Sequence, residues 1–126
     1  KKEHPPVKIP LPKIVAQGKE IDRRTEQKFR RGQMEIEARL DLHGMSQAQA
    51  RDALRQFILR SYDQGKRCIL VITGKGGKAD RPGVLRAKLP EFLAEGGLAD
   101  IILQTSRAKP QHGGDGAVYV LLRRKR

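Results

Sequence analysis

Asp41 and His43 stand two residues apart in the stretch RLDLHG, residues 39–44, between leucines and just ahead of a glycine. An imidazole titrates near neutrality, which suits it to general acid or base work. A carboxylate beside it can orient the ring, bind a metal or accept a proton. If the stretch is a strand, side chains at i and i+2 share a face with Cβ atoms roughly 6.5–7 Å apart. At that separation both groups can reach one ligand, although a direct hydrogen bond between them is not guaranteed. Asp-x-His alone is a weak signal, because such residues at strand ends usually serve structure.

Two other stretches carry chemistry. TGKGGK, residues 73–78, sets Gly74 and Gly76 around Lys75, with Lys78 following. Glycines let a backbone approach a ligand closely, their amides can form an anion nest, and the lysines add charge for phosphate. The spacing is neither a Walker A loop nor a dinucleotide fingerprint, which favours a phosphate backbone over bound ATP or NAD. The second stretch, HGGDG, offers His112 with Gly113 and Gly114. Two imidazoles beside one phosphodiester could act as general base and general acid. On RNA the 2′-hydroxyl could be the nucleophile and no metal would be required. On DNA water must attack, and a divalent ion (Mg or Mn) held by Asp41 would assist. No carboxylate cluster typical of a two-metal nuclease is present.

The elements that must position these residues follow from periodicity. EIEARLDL alternates from Glu35, with Ile36, Ala38, Leu40 and Leu42 on one face, and predicts the first strand. Ser46 is a good N-cap for a helix from Gln47 to about Gln64, stopped by Gly65. RCILVIT is apolar throughout and predicts a central strand covered on both faces. VLRAKLPEFLAE reads as a helix that Pro90 must kink or split. ADIILQT is the expected third strand and AVYVLLR the fourth. The order β-α-β-α-β-β predicts an α/β domain with a mixed four-stranded sheet and two main helices. Its first three strands should run parallel, with an antiparallel fourth at the end of the sheet. All three motifs then converge on one rim, where open α/β sheets bind ligands.

The chain has 126 residues and a formal net charge of +13. Residues 1–39 hold 11 Lys/Arg and 6 Asp/Glu, a net +5, which leaves +8 for residues 40–126. The excess therefore extends into the folded part. Such a field favours polyanions, nucleic acid ahead of a membrane surface, and the basic tail adds Arg123 and Arg124 as phosphate contacts. No apolar run is long enough for a membrane helix, and no signal peptide is visible. Cys68 is the lone cysteine. It is expected as a buried strand thiol in a cytoplasmic protein. Four of the seven prolines lie in the first 20 residues. Residues 1–34 thus read as a basic, largely extended arm, with a short helix over 22–31 that either contacts phosphate or is a solvated linker. Residues 35–126 form the domain, expected as a monomer.

From Ile36 to Arg124 the chain resembles the Smr (small MutS-related) domain family. LDLHG at 40–44 is similar to that family's LDxH motif, TGKG at 73–76 to its GxG motif, and HGGDGAVYVLL at 112–122 to its HGG-x-G stretch and final strand. The helix SQAQARDALRQFI also fits. The resemblance implies a fold like the C-terminal domain of translation initiation factor three. It implies nucleic-acid binding and, as in several members, nicking of DNA or endonucleolytic cleavage of RNA, in some at stalled ribosomes. By the same resemblance Asp41 and His43 carry the LDxH roles, and Gly74, Lys75 and Gly76 the GxG roles. With no MutS ATPase part, the sequence resembles a stand-alone member. Three readings stand: a nuclease favouring RNA, a module that grips nucleic acid or the ribosome without cutting, and a small phosphate-ligand protein. The arm and the basic tail speak against the third.

Overall fold

The computed structural model of the chain describes residues 22–74 and 84–125. The part of the expected arm before Asp22, together with Lys75, Gly76 and Lys78, lies outside the described residues.

Helix α1 spans Arg23–Arg30. Asp22 caps it, accepting from the backbone N–H and the hydroxyl of Thr25, both at 3.2 Å. Strand β1 is short, Ala38–Asp41. Helix α2, Gln47–Asp63, begins at Ser46 with a full capping box, the Ser46 hydroxyl accepting from Gln49 N–H and the Gln49 side chain accepting from Ser46 N–H. It stops at Gly65, whose φ of +79° is left-handed. Strand β2 is Cys68–Ile72. Helix α3, Val84–Leu93, continues through Pro90. The proline neither splits nor ends it, because Leu89, Phe92 and Leu93 stay buried on the core side. Gly96 and Gly97 end that segment, and a single turn, α4, follows over Leu98–Ile101. The third strand, β3, is Ile102–Arg107 and the fourth, β4, Ala117–Leu122. Ala99 and Asp100, expected in the strand, are helical because Leu98 and Ile101, one turn apart, both face the core.

The sheet order is β1-β2-β4-β3. β1 pairs with β2 in parallel, and β4 runs antiparallel to both β2 and β3. The first three strands do share one direction, as expected. The fourth is not at the sheet's end: it lies between β2 and β3. All six of its residues are buried, as both-face coverage of an interior strand requires.

Two cores flank the sheet. On one face Ala38, Leu40, Ile69, Val71, Val118 and Val120 pack against α2 and α3 through Leu54, Ile58, Leu89 and Phe92. On the other, Cys68, Leu70, Leu103, Tyr119 and Leu121 meet Phe29 of α1. Phe29 is fully buried and sits edge-on to the Tyr119 ring at 6.2 Å. A solvated linker helix would not bury its aromatic residue, so α1 is a packed layer of this fold. Ile36, expected to share a face with Ala38 and Leu40, packs instead with the Phe29 cluster. The alternation holds only from Ala38, where strand pairing starts. Cys68 is buried as expected, and burial pushes its thiol up to about 11.

Candidate active site

β1 ends at Asp41 and the chain turns at once. Met45 N–H donates to the Leu42 carbonyl at 3.0 Å, and Gly44 takes a φ of +85°. That turn brings His43 back over Asp41. The His43 backbone N–H donates to Asp41 Oδ1 at 2.9 Å, and its ring Nδ1 lies 2.8 Å from the same oxygen. A direct hydrogen bond, which extended-strand spacing does not guarantee, therefore forms, because His43 lies beyond the strand. The two His43 hydrogen bonds, the backbone one foremost, hold the Asp41 carboxyl below its usual range. Facing a carboxylate, Nδ1 carries the proton, so the lone pair of the neutral ring is on Nε2. The pair is open to solvent, with 71% of the His43 and 50% of the Asp41 side chain exposed.

Gly74 lies beside this pair. Its φ is +91°, and a Cβ added there would come within 3.3 Å of His43 Cβ. A side chain would thus be strained and pressed against the base of the His43 side chain. Gly116 joins the neighbouring loop: its carbonyl accepts from Thr73 N–H at 2.8 Å and from Gly74 N–H at 3.1 Å. HGGDG folds as two short 3₁₀ turns, Pro110–His112 and Gly114–Gly116. Gly113 and Gly114 take φ values of +119° and +53°. Asp115 in this loop pairs with Arg107 at 3.1 Å. His112 Nδ1 lies 2.6 Å from the Tyr119 hydroxyl, which also accepts the Lys109 N–H at 3.1 Å.

The register places Asp41 and Tyr119, the partners of the two histidines, on one face. Asp41 pairs with Ile72, and Ile72 with Ala117. Leu40 packs on the α2 side, so Asp41 projects from the opposite face. Tyr119 is on that opposite face, with Phe29. Asp41 and the strand carrying Tyr119 are two strand spacings apart, about 10 Å. Asp41, His43 and Gly74 are thus brought together, and the loop that holds His112, Gly113 and Gly114 joins them through the Gly116 carbonyl.

Arg123 and Arg124 are not. They follow β4, whose direction opposes β1 and β2, and so lie at the far end of the sheet. Arg123 Nη1 donates to the Asp100 carbonyl at 2.7 Å. Arg124 stands near Arg67, whose guanidinium is lowered first by burial and then by Arg124. The sequence reading missed Tyr119 and Lys109. A tyrosine in the aliphatic run AVYVLL was the available signal, since a buried hydroxyl needs a partner. Among the described residues no three His, Cys, Asp or Glu side chains gather as a metal-ligand group. Asp41 Oδ1 is already committed to His43, which leaves a poor donor set for an octahedral divalent ion.

The chain matches the Smr domain over residues 40–123. It is 33% identical over 95 residues to a ribosome rescue factor SmrB of Tolumonas auensis, covering 75% of this chain and 50% of that one. It is 32% identical over 98 residues to a probable DNA endonuclease SmrA of Escherichia coli, covering 77% and 51%. The chain therefore spans about half the length of these curated relatives. The structure is similar to that of YdaL, a stand-alone small MutS-related protein from Escherichia coli, with a TM-score of 0.71 and 29% identity over 87% of this chain and 81% of that one. It is also similar to the Smr domain of Thermus thermophilus MutS2, with a TM-score of 0.58 and 27% identity over 68% of this chain and 98% of that one. With its motifs in order and its fold shared, the chain belongs to the Smr domain family.

Proposed function

We propose that the protein is an endonuclease that binds nucleic acid and cleaves phosphodiester bonds, RNA in preference to DNA. The observation that carries this reading is the Asp41–His43 pair, hydrogen-bonded at 2.8 Å and open to solvent at the sheet rim. Asp41 orients the ring and His43 Nε2 accepts a proton. On RNA, Nε2 takes the 2′-hydroxyl proton, the 2′-oxygen bonds to phosphorus, and the P–O5′ bond breaks. The 5′-oxygen takes a proton from water, leaving a 2′,3′-cyclic phosphate and a 5′-hydroxyl. Attack on DNA needs an activated water, for which the donor set around Asp41 is poor; this favours RNA. No metal is required in this reading. The net charge of +13 supplies attraction for the phosphate backbone, and Lys75 and Lys78 of TGKGGK are further phosphate contacts in this reading.

The names of relatives support both nuclease action and a ribosomal setting, one being a probable DNA endonuclease and another a ribosome rescue factor. A cytoplasmic monomer acting on RNA, with the ribosome as the candidate partner, fits this reading. The openness of the Asp41–His43 pair favours a second reading, a module that binds without cutting. Single-turnover incubation with labelled RNA and DNA, with and without EDTA, separates them. RNA should be cut in both conditions. His43→Ala should lose about 10²–10⁴ in rate with RNA affinity unchanged. Binding without cleavage by the unaltered protein would establish the second reading instead.

A further inference from the structure

Tyr119 is a polar residue in the buried middle of β4, 1% exposed. Three groups enclose its hydroxyl. Lys109 N–H donates to the oxygen at 3.1 Å, and His112 Nδ1 lies 2.6 Å away, its ring edge-on to the tyrosine at 5.7 Å. The third is Gly32, where an added Cβ would meet the hydroxyl oxygen and the Lys109 side chain at 2.8 Å. Its left-handed φ of +68° lets the turn after α1 close over this point without a side chain. The hydroxyl has one proton to give. Lys109 is a backbone donor and cannot take it. Among the described residues His112 Nδ1 is the acceptor in reach, and a buried hydroxyl proton left unpaired is costly. The proton therefore points at Nδ1, and the proton of the neutral His112 ring is on Nε2.

This is the reverse of His43, whose Nδ1 faces a carboxylate and whose Nε2 bears the lone pair. We propose that Tyr119 is a positioning residue that fixes His112 as a hydrogen-bond donor, through Nε2, to a phosphate oxygen of bound nucleic acid. The two rim histidines then do opposite work. His43 accepts a proton, and His112 donates a hydrogen bond without giving its proton up. His112 therefore stabilises the phosphate rather than sharing the acid–base chemistry, and no bond is made or broken at its ring. Phosphate recognition at the rim also depends on α1, because Phe29 packs on the Tyr119 ring and Gly32 closes over its hydroxyl. The assignment of tautomers stands on its own geometry; the phosphate as recipient rests on the function proposed above.

Long-range ¹H–¹⁵N correlation spectra of the full chain distinguish protonated from unprotonated ring nitrogens. The neutral His112 should show hydrogen on Nε2 and none on Nδ1, and His43 the reverse. In Tyr119→Phe, which keeps the ring and its packing, His112 should lose its single tautomer. Affinity for a short RNA should fall, but by less than in His112→Ala, where the loss should be about tenfold to a hundredfold, the range for a lost hydrogen bond to a charged group. His112→Gln, whose amide can place a donor near Nε2, should retain most of the affinity that His112→Ala loses. Hydrogen on Nδ1 of His112 in the unaltered chain would overturn the inference. So would equal losses in His112→Gln and His112→Ala. Absence of cleavage by the unaltered chain would overturn the nuclease reading and leave the tautomers as found.

Discussion

At the scale of single residues, one oxygen controls the site. Asp41 Oδ1 accepts both the backbone and the ring of His43. Replacing it by asparagine keeps the shape and removes the charge. The asparagine oxygen can still accept both hydrogen bonds, but without the charge it no longer stabilises the imidazolium that forms as Nε2 takes a proton. Asp41→Asn should therefore lose about a hundredfold or more in cleavage rate while RNA affinity holds. A variant cutting at the normal rate would remove Asp41 from the mechanism. Cys68 makes a separate prediction about stability. Its folded value is raised to about 11 from an ordinary 9.0. A raised value means the thiol's contribution is complete below pH 9 and is lost as pH climbs toward 11. The loss should approach 2–3 kcal/mol, at about 1.4 kcal/mol for each tenfold difference in proton affinity between the folded and unfolded chain. In urea melts from about pH 8 to about pH 11, Cys68→Ala should lose stability less steeply than the native chain. Parallel slopes would mean that the thiol ionises freely in the folded state. The sequence made both residues legible as types, a polar pair after a strand and a thiol in an apolar run. It did not reveal the Asp41–His43 bond, because the spacing assumes extended backbone where Gly44 turns the chain.

At the scale of elements, local signals and long-range pairing fared differently. Ser46 and Gly65 bounded α2 in the sequence, and the structure places the cap and the stop there. Caps are local chemistry, so a local reading finds them. Ser46→Ala should cost about 0.5–2 kcal/mol, seen as a melting-temperature drop of several degrees with activity at the rim retained. An unchanged melt would mean that the capping box adds nothing here. Strand order is not local. The chain order β3 then β4 suggested that the last strand closes the sheet, yet β4 inserts between β2 and β3. The continuous apolar run AVYVLL signalled an interior strand. That insertion puts the HGGDG loop next to Thr73 and Gly74 and sends Arg123 and Arg124 to the opposite end, away from the motifs they were grouped with. Of the two outcomes expected at Pro90, the split does not occur: Pro90 loses one backbone bond, but the buried leucines and Phe92 around it keep α3 continuous.

At the scale of the whole molecule, α1 decides where the packed unit begins. The sequence showed a basic helix between a proline-rich segment and the first strand. It could not show that Phe29 reaches the sheet, since one apolar residue in RRTEQKFR sets no periodicity. Residues 1–21 and 22–32 each carry five basic and two acidic side chains. Deleting 1–21 or 1–32 therefore removes charge in two equal steps, but only the second step removes Phe29 and Gly32. Affinity for long RNA should fall at both steps, most at low salt where screening is weakest. Stability should behave otherwise. The second step takes away a fully buried phenylalanine, a loss worth about 3–5 kcal/mol against a typical total of about 5–15 kcal/mol. The melting temperature should drop between the two truncations by well over ten degrees, at about 4–8 °C per kcal/mol for a domain of this size. Phe29→Ala in the full chain should reproduce most of that drop while every charge remains. If the two truncations melt together, α1 is a solvated helix after all. If they differ in stability but Phe29→Ala melts like the native chain, the helix is held by its charges and not by its one buried ring.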